Sequence, residues 1–201
     1  EETMNLRISK AAVCWLFLWC TPMYAAEMKA NHTTEITVRQ GALLGSVQND
    51  VTAFYNVPYA KNPFIDERRF QAPEAYGAWD GQRDATLLGQ PVPQPSRGKT
   101  VELVGAPGDL TLNIWRPTER AEPGKKWPVM VWIPGGAFIR EDAGEPVYDG
   151  SSFARNGVIV VTINYRVGVD GFMHLNGAPD NRGILDQIMA LQWVQQNISD
   201  F

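Results

Sequence analysis

Cysteine is nearly missing from these 201 residues: there are two, Cys14 and Cys20, both close to the start. Histidine is as scarce, with only His32 and His174. With no histidine pair and no carboxylate cluster at ligand spacing, a structural or catalytic metal centre is excluded. Basic clusters are short, the largest being Arg68–Arg69 and Lys125–Lys126, and the net charge is −4. A surface that tracks phosphates is therefore not expected, and nucleic acid is excluded as a partner. Neither G-x-x-x-x-G-K-[ST] nor G-x-G-x-x-G occurs, so no phosphate-cradling loop leads into a helix. Apolar runs stay short of the ~20 residues of a bilayer-spanning helix.

What remains is ordinary globular material, 44% hydrophobic and 20% charged. The length suits one domain, and such a domain buries roughly 70% of its unfolded surface.

Residues 1–26 differ from the rest. Arg7 and Lys10 precede the apolar block "AAVCWLFLWC", which gives way to "TPMYAAE". A basic start, a short apolar stretch and a small-residue exit are the layout of a secretory signal peptide, with translation starting at Met4 and cleavage after Ala25 or Ala26. The alternatives are a buried N-terminal helix and a lipoprotein signal using Cys20, where Trp19 occupies a place for a small residue. Cleavage removes both cysteines, so the exported chain rests on packing without disulfides and keeps no stable membrane anchor. Residues 27–34, including His32, are expected to be disordered, and 35–201 to form the domain. "EET" ahead of Met4 and the stop at "NISDF" read as a reading frame cut at both ends.

Within the domain, "EITVRQGALLGSV" and "VTAFYNVPYA" read as two strands around the turn-forming "QND". Residues 61–108, with "PVPQPS" at their centre, read as long loops with one short helix. "DLTLNIWRP" alternates as a half-buried strand. "WPVMVWI" and "GVIVVTINY" are continuous apolar runs, the pattern of strands buried on both faces. A short helix near "SSFARNG" lies between them, with Ser151 or Ser152 as its cap. Ile184, Ile188, Leu191, Val194 and Ile198 then mark one face of an amphipathic helix opened by Asp180 or Asn181. Strand, helix, strand, helix predicts an α/β fold with a mixed, mostly parallel sheet.

"WIPGGAF" (132–138) ends one apolar run with proline and three small residues. Gly135, Gly136 and Ala137 let backbone N–H groups face a cavity, where they can hold an anion or a developing oxyanion. A glycine turn chosen only for tight packing fits the same residues.

"PVMVWIPGGAF", "YDGSSFA", "VIVVTINYRVGVDGF" and "NRGILDQIMALQWVQQNISDF" occur in that order, preceded by "FYNVPYA", "RRFQAPEAYGAW" and "DLTLNIWRP". From about residue 35 to 201 the chain resembles the N-terminal part of a type-B carboxylesterase, the bacterial esterase and cholinesterase branch of the α/β-hydrolases. The resemblance implies the N-terminal part of an α/β-hydrolase fold, ending before the nucleophile strand. It implies an acyl-enzyme hydrolysis of small-molecule carboxylic esters with no cofactor. By the family's HGG[GA]F-type loop, Gly136 and Ala137 donate backbone N–H bonds to the oxyanion, Gly135 allows the close approach and Phe138 walls the pocket. Pro134 stands where the family usually has histidine. The G-x-S-x-G elbow is met only by "GSSFA" (150–154), where Ala154 replaces the last glycine. The nucleophile, triad acid and base are therefore expected beyond Phe201, and this fragment alone is expected to be inactive.

The family's loop disulfide is gone, its places held by Val92 and Asp109. Pro107 replaces a glutamate that would pair with Arg69, leaving Asp109 as a substitute partner. Arg166 and Asp186 remain and are expected to form a buried ion pair. The alternative reading is a non-catalytic cholinesterase-like binding or adhesion protein, kept open by Pro134.

Overall fold

A computed structural model describes residues 32–98 and 102–201. The signal-like segment and residues 27–31 lie outside the described residues. β1 (His32–Val38) begins at the first described residue, so residues 32–34 are paired strand, not disordered. Thr33 and Thr34 are β-branched and favour the extended backbone that the ladder with Gly45 and Ser46 uses.

The single strand expected over 35–47 is two. Val38 pairs with Gly41, closing a tight turn over Arg39–Gln40 before β2 (Gly41–Gln48). The next turn is where "QND" places it. Asn49 and Asp50 both have positive φ, 50° and 64°, and Gln48 faces Val51 at the start of β3 (Val51–Ala60). Two left-handed residues match the twist of the flanking strands, and Asn and Asp tolerate that conformation best after glycine.

The described residues of the 61–108 loops hold a 3₁₀ turn at Asp66–Arg68 and three short strands, β4 (Gln82–Asp84), β5 (Gln94–Pro95) and β6 (Leu103–Val104). β7 (Leu110–Pro117) was expected to be half-buried but is buried along most of its length. It lies between β3 and β9 (Ile159–Ile163) with side chains covered from both faces. β8 (Val129–Trp132) precedes the short helix α1 (Ser151–Arg155). Ser151 is the first helical residue rather than the cap, and its N–H donates to the Asp149 carboxylate at 2.8 Å.

The order across the sheet is β1-β2-β3-β7-β9-β8, with β4 beside β2. The sheet is mixed as expected but, among the described residues, more antiparallel than parallel: only β8–β9 and β2–β4 run parallel, because β1, β2 and β3 follow one another through tight turns. All five residues of β9 are buried, as a two-faced strand requires. β8 carries the same apolar run but is the outermost strand, and Val129 and Trp132 are exposed.

After β9 come α2 (Gly168–Phe172) and α3 (Arg182–Asn197). Asn181 precedes α3 with φ 54° and makes no side-chain cap, so its place, not its hydrogen bonding, matches expectation. The buried face of α3 overlaps the expected one at Val194 alone. It runs through Gly183, Asp186, Ala190, Trp193, Val194 and Asn197, while Ile188 and Leu191 are exposed. Three polar residues are buried on α3 because each has partners: Arg182 donates to the Asp170, Pro179 and Met173 carbonyls, Asp186 holds Arg166, and Asn197 accepts the Arg39 N–H at 3.2 Å. Gly183 lets the helix come this close, since a Cβ there would overlap the Arg166 carbonyl and the Phe172 ring. No helix among the described residues is long and apolar enough to cross a membrane.

Candidate active site

Strand β8 delivers residues 133–140 at its C-terminal end, beside the C-terminal end of β9, with which it runs parallel. Crevices at strand C-termini are where open α/β sheets place their ligands. Pro134 is buried; Gly135 and Ala137 are exposed. Gly136 has φ +156°, and a Cβ there would overlap the Arg140 carbonyl oxygen. The carbonyl of Gly136 accepts the Ile139 and Arg140 N–H groups at 3.0 and 3.3 Å, closing a tight turn. Ala137 and Phe138 follow with φ 55° and 59°. Left-handed non-glycine residues cost about 1–3 kcal/mol each, and such strain is held only where the surroundings enforce it.

The surroundings here are specific. The Phe138 carbonyl accepts the Gly168 N–H at 2.6 Å, and its ring stacks at 4.7 Å and 40° on Phe172 of α2. At the other end, the Tyr165 hydroxyl donates to the Pro134 carbonyl at 2.7 Å. Burial, with the nearby Glu141 and Tyr148, pushes the Tyr165 hydroxyl up to about 12, so it stays a donor across the working pH range. The amides of Gly136 and Ala137 have no acceptor among the described residues. A loop pinned at both ends, with successive left-handed residues and free amides, is suited to hold an oxygen that becomes anionic.

Beneath the loop lies a group that sequence reasoning missed. Glu141 is 1% exposed. Its backbone is clasped by the Gln94 amide, with Glu141 N–H donating at 2.6 Å and Gln94 donating to the Glu141 carbonyl at 2.5 Å. Its Oε1 accepts the Tyr165 N–H at 3.4 Å, and its Oε2 has no partner. The next residues are fastened to the sheet, since the Ala143 carbonyl accepts from Asn113 at 3.2 Å and Thr162 at 2.9 Å. In the sequence Glu141 sits in the polar stretch "REDAGE", which reads as solvated loop. No periodicity marks it.

Arg166 and Asp186 meet at 2.7 Å with both side chains fully buried. Arg166 Nε and N–H also donate to Asp186 at 2.8 and 3.0 Å, and Nη1 donates to the Gln71 carbonyl at 2.8 Å. Burial pushes the Asp186 carboxyl above its ordinary value, against the pull of Arg166. The pair ties the end of β9 to α3, fixing the residues from which Tyr165 and Gly168 reach the loop. Arg69 pairs with Asp170 at 3.3 Å, not with Asp109. Asp109 is taken by the Asn62 N–H at 3.0 Å and faces Arg83 at 3.9 Å.

His174 is largely exposed and lies 2.9 Å from Asp180, with no serine in contact with it among the described residues. Ser151 and Ser152 are on α1, away from any strand-to-helix elbow. Among the described residues no cluster of three or more His, Cys, Asp or Glu side chains is placed to hold a metal ion.

A sequence model described as the carboxylesterase family matches residues 32–201. The para-nitrobenzyl esterase of Bacillus subtilis (strain 168) is 43% identical over 175 residues, covering 83% of this chain and 35% of that protein. A cholinesterase of Mus musculus is 37% identical over 222 residues, covering 100% of this chain and 35% of its own length. A solved carboxylesterase of Geobacillus stearothermophilus superposes with TM-score 0.71 and 45% identity, over 84% of this chain and 35% of that one. The chain thus spans about a third of the length of the relatives it matches.

Proposed function

The chain belongs to the carboxylesterase family, and on that premise we propose that the whole protein hydrolyses small-molecule carboxylic esters through an acyl-enzyme. A serine supplied from outside these residues attacks the ester carbonyl, and a histidine takes its proton and passes it to the leaving alcohol. The carbonyl oxygen becomes anionic as the tetrahedral intermediate forms. Gly136 and Ala137 N–H groups donate to it, Gly135 leaves room for its approach, and Phe138 walls the pocket against Phe172. The observation that carries this reading is the loop itself, with its unpartnered amides held between Tyr165 and Gly168.

Pro134 is the feature that favours a non-catalytic binding or adhesion role. That support is weakened because the oxyanion donors are backbone groups and Pro134 contributes its carbonyl to the brace. Export is also part of the proposal, supported by Arg7, Lys10 and the apolar block ahead of Ala25.

The test is p-nitrophenyl ester hydrolysis by the full-length protein and its Gly136→Val variant. The added side chain must displace the Arg140 carbonyl and the loop with it. Expected is a loss of about 10²–10³ in kcat with KM little changed and the circular dichroism spectrum kept. A variant as fast as the parent would sink the assignment.

A further inference from the structure

We propose that Glu141 is a positioning residue for the oxyanion loop, acting through Tyr165; the inference rests on the esterase reading above. The geometry is a relay. Glu141 Oε1 holds the Tyr165 backbone N–H, and the hydroxyl of the same tyrosine holds the Pro134 carbonyl, one residue before the glycines. Gln94 fixes the Glu141 backbone in turn, which sets the position from which the carboxyl reaches Tyr165. Each end of the relay is buried.

The state of the carboxyl follows from what surrounds it. Asp142 is the next residue, the Tyr165 and Ala143 backbones face the carboxyl, and Tyr59 of β3 lies near Glu141, Asp186 and Arg166. Arg97, Arg140 and Glu145 line a cavity of about 170 Å³ that Glu141 also borders. Arg97 is spent on Glu145, and no arginine hydrogen-bonds Glu141 among the described residues. A buried carboxylate without a cation partner sheds its charge by keeping its proton. Burial accordingly holds Glu141 well above the usual carboxylate range, with the Asp142 charge adding to the rise. As a neutral acid it accepts the Tyr165 N–H without forcing a charge under the loop. When it ionises, the charge draws water or movement into the site, and the brace on Pro134 loosens.

The experiment compares the full-length protein with Glu141→Gln and Glu141→Ala, using a p-nitrophenyl ester across the pH range. Glu141→Ala is expected to lower kcat by roughly 10- to 100-fold at little change in KM. Glu141→Gln, which keeps the acceptor oxygen and cannot ionise, restores most of that loss at neutral pH. The wild type loses kcat on the alkaline side as Glu141 ionises, and the Gln variant lacks that limb. A Gln variant with the wild-type limb, or an Ala variant with wild-type kcat, overturns the proposal. If the wild type turns over no ester, the esterase reading fails, and the relay is then read by hydrogen exchange of the peptide 133–140. Faster exchange in Glu141→Ala than in wild type and Glu141→Gln supports it; equal exchange in all three overturns it.

Discussion

Two buried carboxyls near the same strand end carry opposite consequences. Asp186 has Arg166 on both of its oxygens, so removing either partner would leave an uncompensated charge in the core. Among the described residues no cation pairs with or hydrogen-bonds Glu141, so its burial is tolerable only while it keeps its proton. The sign of its effect on stability follows. Its folded value lies above the ordinary 4.5, so the native state binds this proton more tightly than the unfolded chain does. That contribution is fully present below the ordinary carboxylate value and is lost as pH rises through the raised folded value. Glutamine has no such proton to lose. In thermal melts of the full-length protein from about pH 4 to about pH 9, Glu141→Gln should therefore gain on the wild type at each step upward. The gain is about 1.4 kcal/mol for each pKa unit of the rise, levelling off above the folded value. Parallel melting curves across that range would show that Glu141 is not held protonated. The two residues also differ in legibility. Arg166 and Asp186 stand inside ordered motifs and are paired on sight. Glu141 sits among Arg140 and Asp142, and nothing in that run says which charge turns inward.

The elements show the same division between what local pattern conveys and what only packing decides. The turn at Asn49–Asp50 and the strands β3, β7 and β9 are legible because φ preference and apolar runs are properties of the residues themselves. The burial of an element depends on its neighbours, which local pattern does not name. β8 has the composition of a strand covered on both faces, and among the described residues no strand pairs with its outer side, leaving Val129, Trp132 and Ile133 exposed. On α3 the apolar stripe through Ile188 and Leu191 faces outward, because Arg166 claims Asp186 and so sets the helix's rotation. An open apolar strand edge and an exposed apolar helix face are each an invitation to self-association. The 201-residue chain on its own is therefore expected to run as aggregates in light scattering at micromolar concentration. Val129→Lys, at an exposed edge position, should reduce the apparent mass. A monodisperse monomer for the unmodified chain would contradict this account of the edge.

At the scale of the molecule, the loop that we propose holds the oxyanion is assembled, while no serine–histidine pair stands beside it among the described residues. The loop, its brace through Tyr165 and Glu141, and its clamp through Gly168 are all formed by residues 94–168. The ordered motifs point to Gly136 and Ala137 as the proposed donors from the sequence alone, since the resemblance names backbone positions and needs no side chain there. The brace was not legible, because it joins residues 31 apart through a hydroxyl and a main-chain carbonyl. Chemistry needs more than an oxyanion hole. His174 is turned to solvent with Asp180 as its partner, and no serine stands against it among the described residues. Removing the nucleophile or base of such a triad leaves only the residual rate of the hole and of binding, some 10³–10⁴ over water at best in a complete site. Here the binding walls are also partial, with Phe138 half exposed. The isolated 201-residue polypeptide is thus expected to hydrolyse p-nitrophenyl esters no faster than its own Gly136→Val variant. A burst of p-nitrophenol from the isolated chain, stoichiometric with protein, would mean that a nucleophile is already present within these residues. The nucleophile of the proposed reaction would then have to be sought inside them.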